Sequence, residues 1–315
     1  MNSLCALLFV TLFFMACGDS SDTPVGADNS VTDPMGEQPY EAYFENGGYL
    51  KPNSQGLIIR NVQFFGEDEA GTIEGFDIDN RISSDGDQSS CGHADSVDAL
   101  GNEGVDNQLS AAWNDLIGPL VGEATHALIK GAINEGRLLL GIELTGVDDP
   151  LNDDDIGLML FKGVADPDVG TFGLLSPDQT YYVDMAEPQS TVSHLQIKDG
   201  FVEAGPVEFD IPIDILNEYF IVTIADGQIR FKLNEDGSAE GFIGGVLDVG
   251  AVLEEGYETN ASAEFHLITP LFYANTDMWP SADGECRGMS VAVRFEATPG
   301  FIVHYPQDET EAESD

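Results

Sequence analysis

The sequence predicts a β-rich α+β fold, an antiparallel sandwich or partly closed sheet carrying one or two packed helices. Apolar and polar residues alternate over many short stretches, the pattern of strands with one buried and one wet face. A single interval, Gln108 to Ile133, changes to a spacing of three and four. No GxGxxG or P-loop follows any strand, so the alternating βαβ architecture of nucleotide-binding proteins has no support.

The helical interval places Leu109, Trp113, Leu116, Ile117, Leu120, Val121, Ala124, Leu128 and Ala132 on one stripe. Pro119 lacks a donor and crowds the preceding turn, so Gly118-Pro119 is expected to kink or divide this helix. Trp113 lies on the apolar stripe and reads as core. Next, Leu138, Leu140, Ile142 and Leu144 repeat at period two and predict a strand. Further strands are expected at 57–65, 72–78, 156–162, 180–185 and 193–203. Within Tyr219 to Leu233, Asp226-Gly227 between two apolar runs predicts a hairpin, and Asn234 to Gly237 predicts a second turn. Gly241 to Leu253 (GFIGGVLDVGAVL) reads as a glycine-rich packed helix, with a strand as the alternative. Val291, Val293 and Phe295 form a last strand with one wet face.

Charge removes whole classes of partner. Eleven Lys and Arg stand against 57 Asp and Glu, a formal net charge of −46. Nucleic acid is held by pairing phosphates with cations, and no basic cluster exists to do so. At 42% apolar residues, with 18 Phe and 9 Tyr, the chain can nevertheless bury a core. The excess acid is the surface expected of a salt-adapted, halophilic protein.

The ends read as addresses rather than fold. Residues 1–16 form a signal peptide whose apolar stretch, Leu4 to Ala16, is too short to span a bilayer as a mature helix. Phe14-Met15-Ala16-Cys17 resembles a bacterial lipobox, which implies lipidation of Cys17 with palmitate-type acyl chains. An ordinary secretory signal is the alternative. Residues 17–48, rich in Ser, Asp, Pro and Gly, predict a disordered tether; 49–305 a single β-rich domain; 306–315 an acidic disordered tail. The expected location is the cell envelope, lipid-anchored to the outer membrane on its periplasmic or surface side, or else secreted. A membrane-spanning barrel is disfavoured by too few strands and by the long internal helix.

With Cys5 in the signal and Cys17 at the lipid site, Cys91 and Cys286 remain. In an oxidising envelope they predict one disulfide; two buried free thiols or half of a metal site are the alternatives. The stretch Phe76 to Asn107 concentrates Asp77, Asp79, Asp85, Asp87, Asp95, Asp98 and Asp106. Hard oxygens packed this closely suggest calcium, which accepts six to eight of them in flexible loops. Asp77, Asp79, Asp95 and Asp106 are the candidate ligands, although the spacing is not that of an EF-hand. The competing reading makes Asp106 the N-cap of the following helix, with Val105 as its staple. A second group, Asp148, Asp149, Asp153, Asp154 and Asp155, reads as a solvated loop.

Catalytic signals are thin. His93 and Asp95 could act as general base and orienter, yet no GxSxG or HExxH accompanies them. The remaining histidines, His126, His194, His266 and His304, read as structural, and with so many acids no glycosidase pair can be nominated.

The sequence motifs Cys17-Gly18-Asp19, Gly75-Phe76-Asp77-Ile78-Asp79, Cys91-Gly92-His93-Ala94-Asp95, Gly104-Val105-Asp106-Asn107-Gln108-Leu109 and Gly241-Phe242-Ile243-Gly244-Gly245 cover about a fifth of the chain. Together they resemble the uncharacterised acidic lipoproteins of myxobacteria and related bacteria, a family of unknown function. The resemblance implies an outer-membrane or surface lipoprotein with a calcium-rich acidic loop and a Cys91 to Cys286 bridge. The functional expectation is an envelope lipoprotein with a structural or ligand-binding role, stabilised by calcium and without catalytic motifs; its membrane partner is reached through the lipid. The alternatives are an anchored hydrolase of exported polymers and a carrier of apolar molecules.

Overall fold

A computed structural model describes residues 48–113, 118–215, 218–258 and 262–305. The signal peptide, the lipobox at Cys17, the tether and the acidic tail lie outside the described residues. Within them the elements run β1 (Ser54–Gln63), β2 (Ser96–Val97), β3 (Glu103–Val105), α1 (Gln108–Ala112), α2 (Gly118–Asn134), β4 (Leu140–Thr145), β5 (Asn152–Val164), β6 (Gln179–Val183), β7 (Ser190–Lys198), β8 (Phe201–Ile215), β9 (Glu218–Leu233), β10 (Ala239–Asp248), α3 (Val249–Glu258), α4 (Ser262–Ala274), β11 (Met278–Pro280) and β12 (Cys286–Val303).

The β-rich α+β class is as expected, but the sheet closes fully into an eight-stranded barrel rather than forming a sandwich or partly closed sheet, and the described residues hold four helices rather than one or two. Strands β1, β4, β5, β7, β8, β9 and β10 each pair antiparallel with the next, and β12 joins β10 back to β1. Closure depends on the length of β12. It holds β10 along Gly288 to Ala297 and β1 along Arg294 to Gly300. Alternation in sequence shows that each strand has one buried face; it does not show that the first strand meets the last.

Period-two residues fill the interior: Leu57 and Ile59, Ile142 and Leu144, Ile156 and Leu158, Ile229, Phe231 and Leu233, Phe295 and Ala297. Exposed Gln196, Glu203, Lys232 and Glu240 alternate with such residues on the outside. Apolar within and polar without is the reverse of a barrel that spans a bilayer. A second core lies outside one wall. There Ile58, Met159 and Phe161 meet Ala132 and Ile133 of α2, Tyr181 and Val183 of β6, and Ile302 of β12.

Because neighbouring strands alternate in direction, their connections alternate between two rims. One rim carries the short connections 146–151, 199–200 and 234–238. The other carries the excursions 64–139, 165–189 and 249–285, together with the β8–β9 hairpin. Helix α3 closes this elaborated rim by inserting Val249 and Leu253 into the interior core.

Several local expectations are corrected. The long helical interval is divided as expected, with Pro119 placed in the first turn of α2, where its missing N–H is tolerated. Residues 72–78 form no strand; Phe76 makes an isolated bridge to Asp106. The 193–203 interval is two strands turning at Asp199-Gly200. Asp226-Gly227 is not a hairpin turn but a bulge inside the continuous strand β9, where Asp226 takes a φ of +50°. The turn at Asn234 to Gly237 is present, closed by Asn234 and Ser238 at 2.8 Å. Gly241 to Leu253 is strand up to Asp248 and helix from Val249, so neither single reading held.

Candidate functional site

The excursion after β1 is laid across the outer wall of the barrel by its aromatic residues. Arg294 of β12 sits against Phe65 and Phe242 at 6.0 and 5.2 Å, and Arg230 of β9 lies 5.5 Å from the Phe76 ring. Glu74 approaches Arg230 at 3.9 Å. Two of the chain's six arginines are therefore spent on docking this loop.

Asn107 fastens its far end. β1 stops opposite Arg294, which leaves an open edge on the earlier residues of β12. The Asn107 side chain fills it, accepting from Ala292 N at 3.0 Å and donating to Ala292 O at 3.4 Å. The same Oδ1 accepts from Ser110 N, so Asn107, not Asp106, is the N-cap of α1. Two residues back along β12, Asp277 accepts from Ser290 N at 2.7 Å and from Ser290 Oγ at 2.5 Å.

Relieved of capping, Asp106 turns the other way. Carboxylate oxygens of Asp77, Asp79 and Asp106 lie within 4.8 Å of one another, graded from exposed Asp77 to buried Asp106. Asp106 Oδ2 accepts from Ile78 N at 2.7 Å and from Asp79 N at 3.3 Å. Asp79 Oδ1 accepts from Arg81 N at 2.9 Å, while Asp95 accepts from Ser83 N at 2.5 Å and shares a hydrogen bond with Asp106. The fold thus brings three of the four candidate ligands, Asp77, Asp79 and Asp106, within reach of one ion, and leaves Asp95 beside them, bonded to Asp106. Asp87 and Asp98, from the same stretch, instead organise their own turns by accepting from Ser89 N and from Leu100 N and Asn102 N.

These acids perturb one another. Burial pushes the Asp106 carboxyl up to about 8, against the Ile78 N–H and with help from Asp95 and Asp79. Asp95 is raised by burial first and by Asp79 and Asp77 after it. Behind them, burial holds Asp277 at about 6 against its bonds to Ser290. Asp95 and Asp106 are pushed in the same direction, not apart as an acid and a base are in a catalytic pair. A small recess between the loop and the barrel is lined by Asp95, Asp106, Asn107, Gln108 and Asp277. The donor set fits a hard cation: several carboxylate oxygens, a polar loop around them and an exposed approach at Asp77.

A disulfide joins Cys91, four residues before Asp95, to Cys286 at the start of β12, so the acidic loop is bound covalently to the barrel. The thiol and metal alternatives for these cysteines are thereby removed. His93 hydrogen-bonds the carbonyl of Ala274 and faces Asp85, with burial lowering its pKa, while Asp95 engages Ser83 and Asp106. The expected base and orienter point to different partners. Of the second acid group, Asp148 and Asp149 lie in the expected loop, but Asp153, Asp154 and Asp155 begin β5, where Asp153 accepts from Asp148 N and Asp155 N.

The other histidines engage neighbouring side chains, exposed His266 by stacking on Tyr257 at 4.3 Å. His126 accepts from Phe64 N at 3.0 Å and stacks with Trp113 and Phe64, which places Trp113 in the core as expected. His194 pairs with Asp155 in solvent. His304 is structural as expected, but its partner was missed: it meets the fully buried Glu143 at 2.9 Å while Lys51 donates to the same carboxylate at 2.8 Å. The only sequence signal was a glutamate inside an apolar strand. This trio closes the first described residues onto the last, beside the Tyr49 to His304 bridge.

Fold and site define an up-and-down eight-stranded barrel with a stapled acidic loop on its outer wall. No family model, curated protein or solved structure matches the chain.

Proposed function

We propose that this protein is a lipid-anchored component of the bacterial cell envelope whose barrel carries a calcium-stabilised acidic loop, with a binding or structural role rather than a catalytic one. The convergence of Asp77, Asp79 and Asp106, with Asp95 bonded to Asp106, carries the calcium reading. Carboxylates this close repel one another unless a proton or a cation lies among them, and a divalent ion relieves the repulsion without waiting for acid. The apolar segment ending at Cys17 and the polar stretch after it support the anchor.

Calcium is tested by the thermal midpoint of the full chain in high salt, with calcium titrated against EDTA. The expected result is a saturable rise that Asp77→Asn with Asp106→Asn removes, because a ligand that binds only the folded state stabilises it by mass action. A response that magnesium or added sodium chloride reproduces would defeat the reading. The anchor is tested by mass spectrometry of the N-terminal peptide from membranes, which should begin at Cys17 and carry acyl chains.

A further inference from the structure

Beyond the calcium reading, and independent of it, the β8–β9 hairpin has the construction of a flap. β7 lies against β8 at Phe201 and Val202, and β10 accompanies β9 as far as Ile224. Past those points the described pairings run between the hairpin's own two strands, from Asp210 with Thr223 to Ile215 with Glu218. It is a two-stranded ribbon rising from the elaborated rim.

A crease crosses its base. The register of β8 with β9 slips between Ala204 and Val207 and again between Val207 and Phe209; that of β10 with β9 slips between Gly244 and Val246. All the slips fall at one level of the wall. Glycine is required there: a Cβ on Gly205 would lie 2.5 Å from Gly227 O, one on Gly227 2.6 Å from the Phe209 ring, and one on Gly245 2.6 Å from Ala225 O. Aligned bulges bend strands sharply, and here they line up across the base of the ribbon.

The ribbon carries part of the core. Phe209 and Ile224 are buried in the interior cluster, with Val207, Ile211 and Val222 packed against it. Its far end is held across the rim by polar contacts: Tyr219 donates to Glu187 at 2.5 Å, and Lys162 pairs with Glu187 at 3.0 Å and lies 5.3 Å from the Tyr219 ring. An apolar filling on a narrow ribbon, a glycine crease beneath it and a small polar catch at its end set it apart from the strands below, where β8 and β9 are flanked by β7 and β10.

We propose that the ribbon of residues 207–213 and 219–225 is a flap, opening on the crease at Gly205, Gly227 and Gly245, that admits an uncharged apolar molecule to the barrel interior in place of Phe209 and Ile211. The interior cluster consists of aliphatic and aromatic side chains, which sets the ligand class. The Lys162, Glu187 and Tyr219 catch biases the flap toward closure.

Hydrogen exchange of the full chain, read by mass spectrometry, and uptake of the apolar fluorophore N-phenyl-1-naphthylamine test this. Peptides of the ribbon should exchange about 100-fold faster than those of β12, since local opening costs less than global unfolding. Glu187→Gln with Tyr219→Phe should accelerate ribbon exchange further and raise saturable dye uptake several-fold. Exchange of the ribbon in step with β12 would overturn the flap, as would unchanged dye uptake in a folded catch variant. Should that variant fail to fold, exchange in the natural sequence decides alone.

Discussion

The side chain of Asn107 pairs with both main-chain groups of Ala292, 185 residues away, and so takes the place of a strand where β1 has ended. One residue earlier, Asp106 faces the acidic loop. The junction of barrel and candidate site is thus a dipeptide whose two side chains point in opposite directions.

Replacing Asn107 with alanine should cost about 3 kcal/mol in urea unfolding, because the buried main chain of Ala292 and the half-buried carbonyl of Glu74 lose their partner and α1 loses its cap. Asn107→Asp should restore the cap but place a charge beside Asp277, and should remain well below the natural protein.

The metal-free protein should lose stability as pH rises from about 4 to about 8. Asp106 and Asp277 have folded values near 8 and 6, both above the unfolded value of 3.8, so folding favours their protonated forms. Each contributes a penalty that begins above the unfolded pKa and is complete above the folded one. Melting in EDTA at pH 5 and pH 8 checks the sign. Saturating calcium should flatten the difference at Asp106.

Glu143 should govern the acid limb. Burial works to raise its pKa, but bonds from His304 and Lys51 outweigh it and hold the carboxyl below 4.5. A lowered value contributes stability above the unfolded pKa that is lost as pH falls through the folded one. Glu143→Gln should cost about 3 kcal/mol at pH 7 by denaturant unfolding, as removal of one member of a buried pair does, and should flatten the acid limb. Lys51→Met, at a position about one-third exposed (31%), should cost about 1 kcal/mol.

Removing the disulfide with Cys91→Ser and Cys286→Ser should cost about 4 kcal/mol, given a closed loop of 195 residues and the usual shortfall from the chain-entropy value. Because Cys91 stands four residues before Asp95, the calcium midpoint should weaken as well. Isothermal titration of oxidised and variant protein separates the two effects. Asp153→Ala, at the start of β5 on the opposite rim, should leave the calcium response unchanged.

Much of this protein was legible in its sequence because it rests on local chemistry. Period-two alternation predicted the β-rich class, Pro119 the division of the helix, and Asn234 to Gly237 the turn that joins β9 to β10. The acids of the candidate site could be named as well, since their density in a loop of low apolar content is a property of the chain alone. Where local rules compete, sequence reading failed: Asp226-Gly227 has the chemistry of a hairpin turn, but long pairing on both sides makes it a bulge. The tertiary structure alone decided that β12 returns to β1 and closes the barrel, that Asn107 rather than Asp106 caps α1, and that Glu143 meets His304. Each of these joins residues more than a hundred positions apart or hangs on one that does, and no periodicity or motif encodes which distant surfaces will meet.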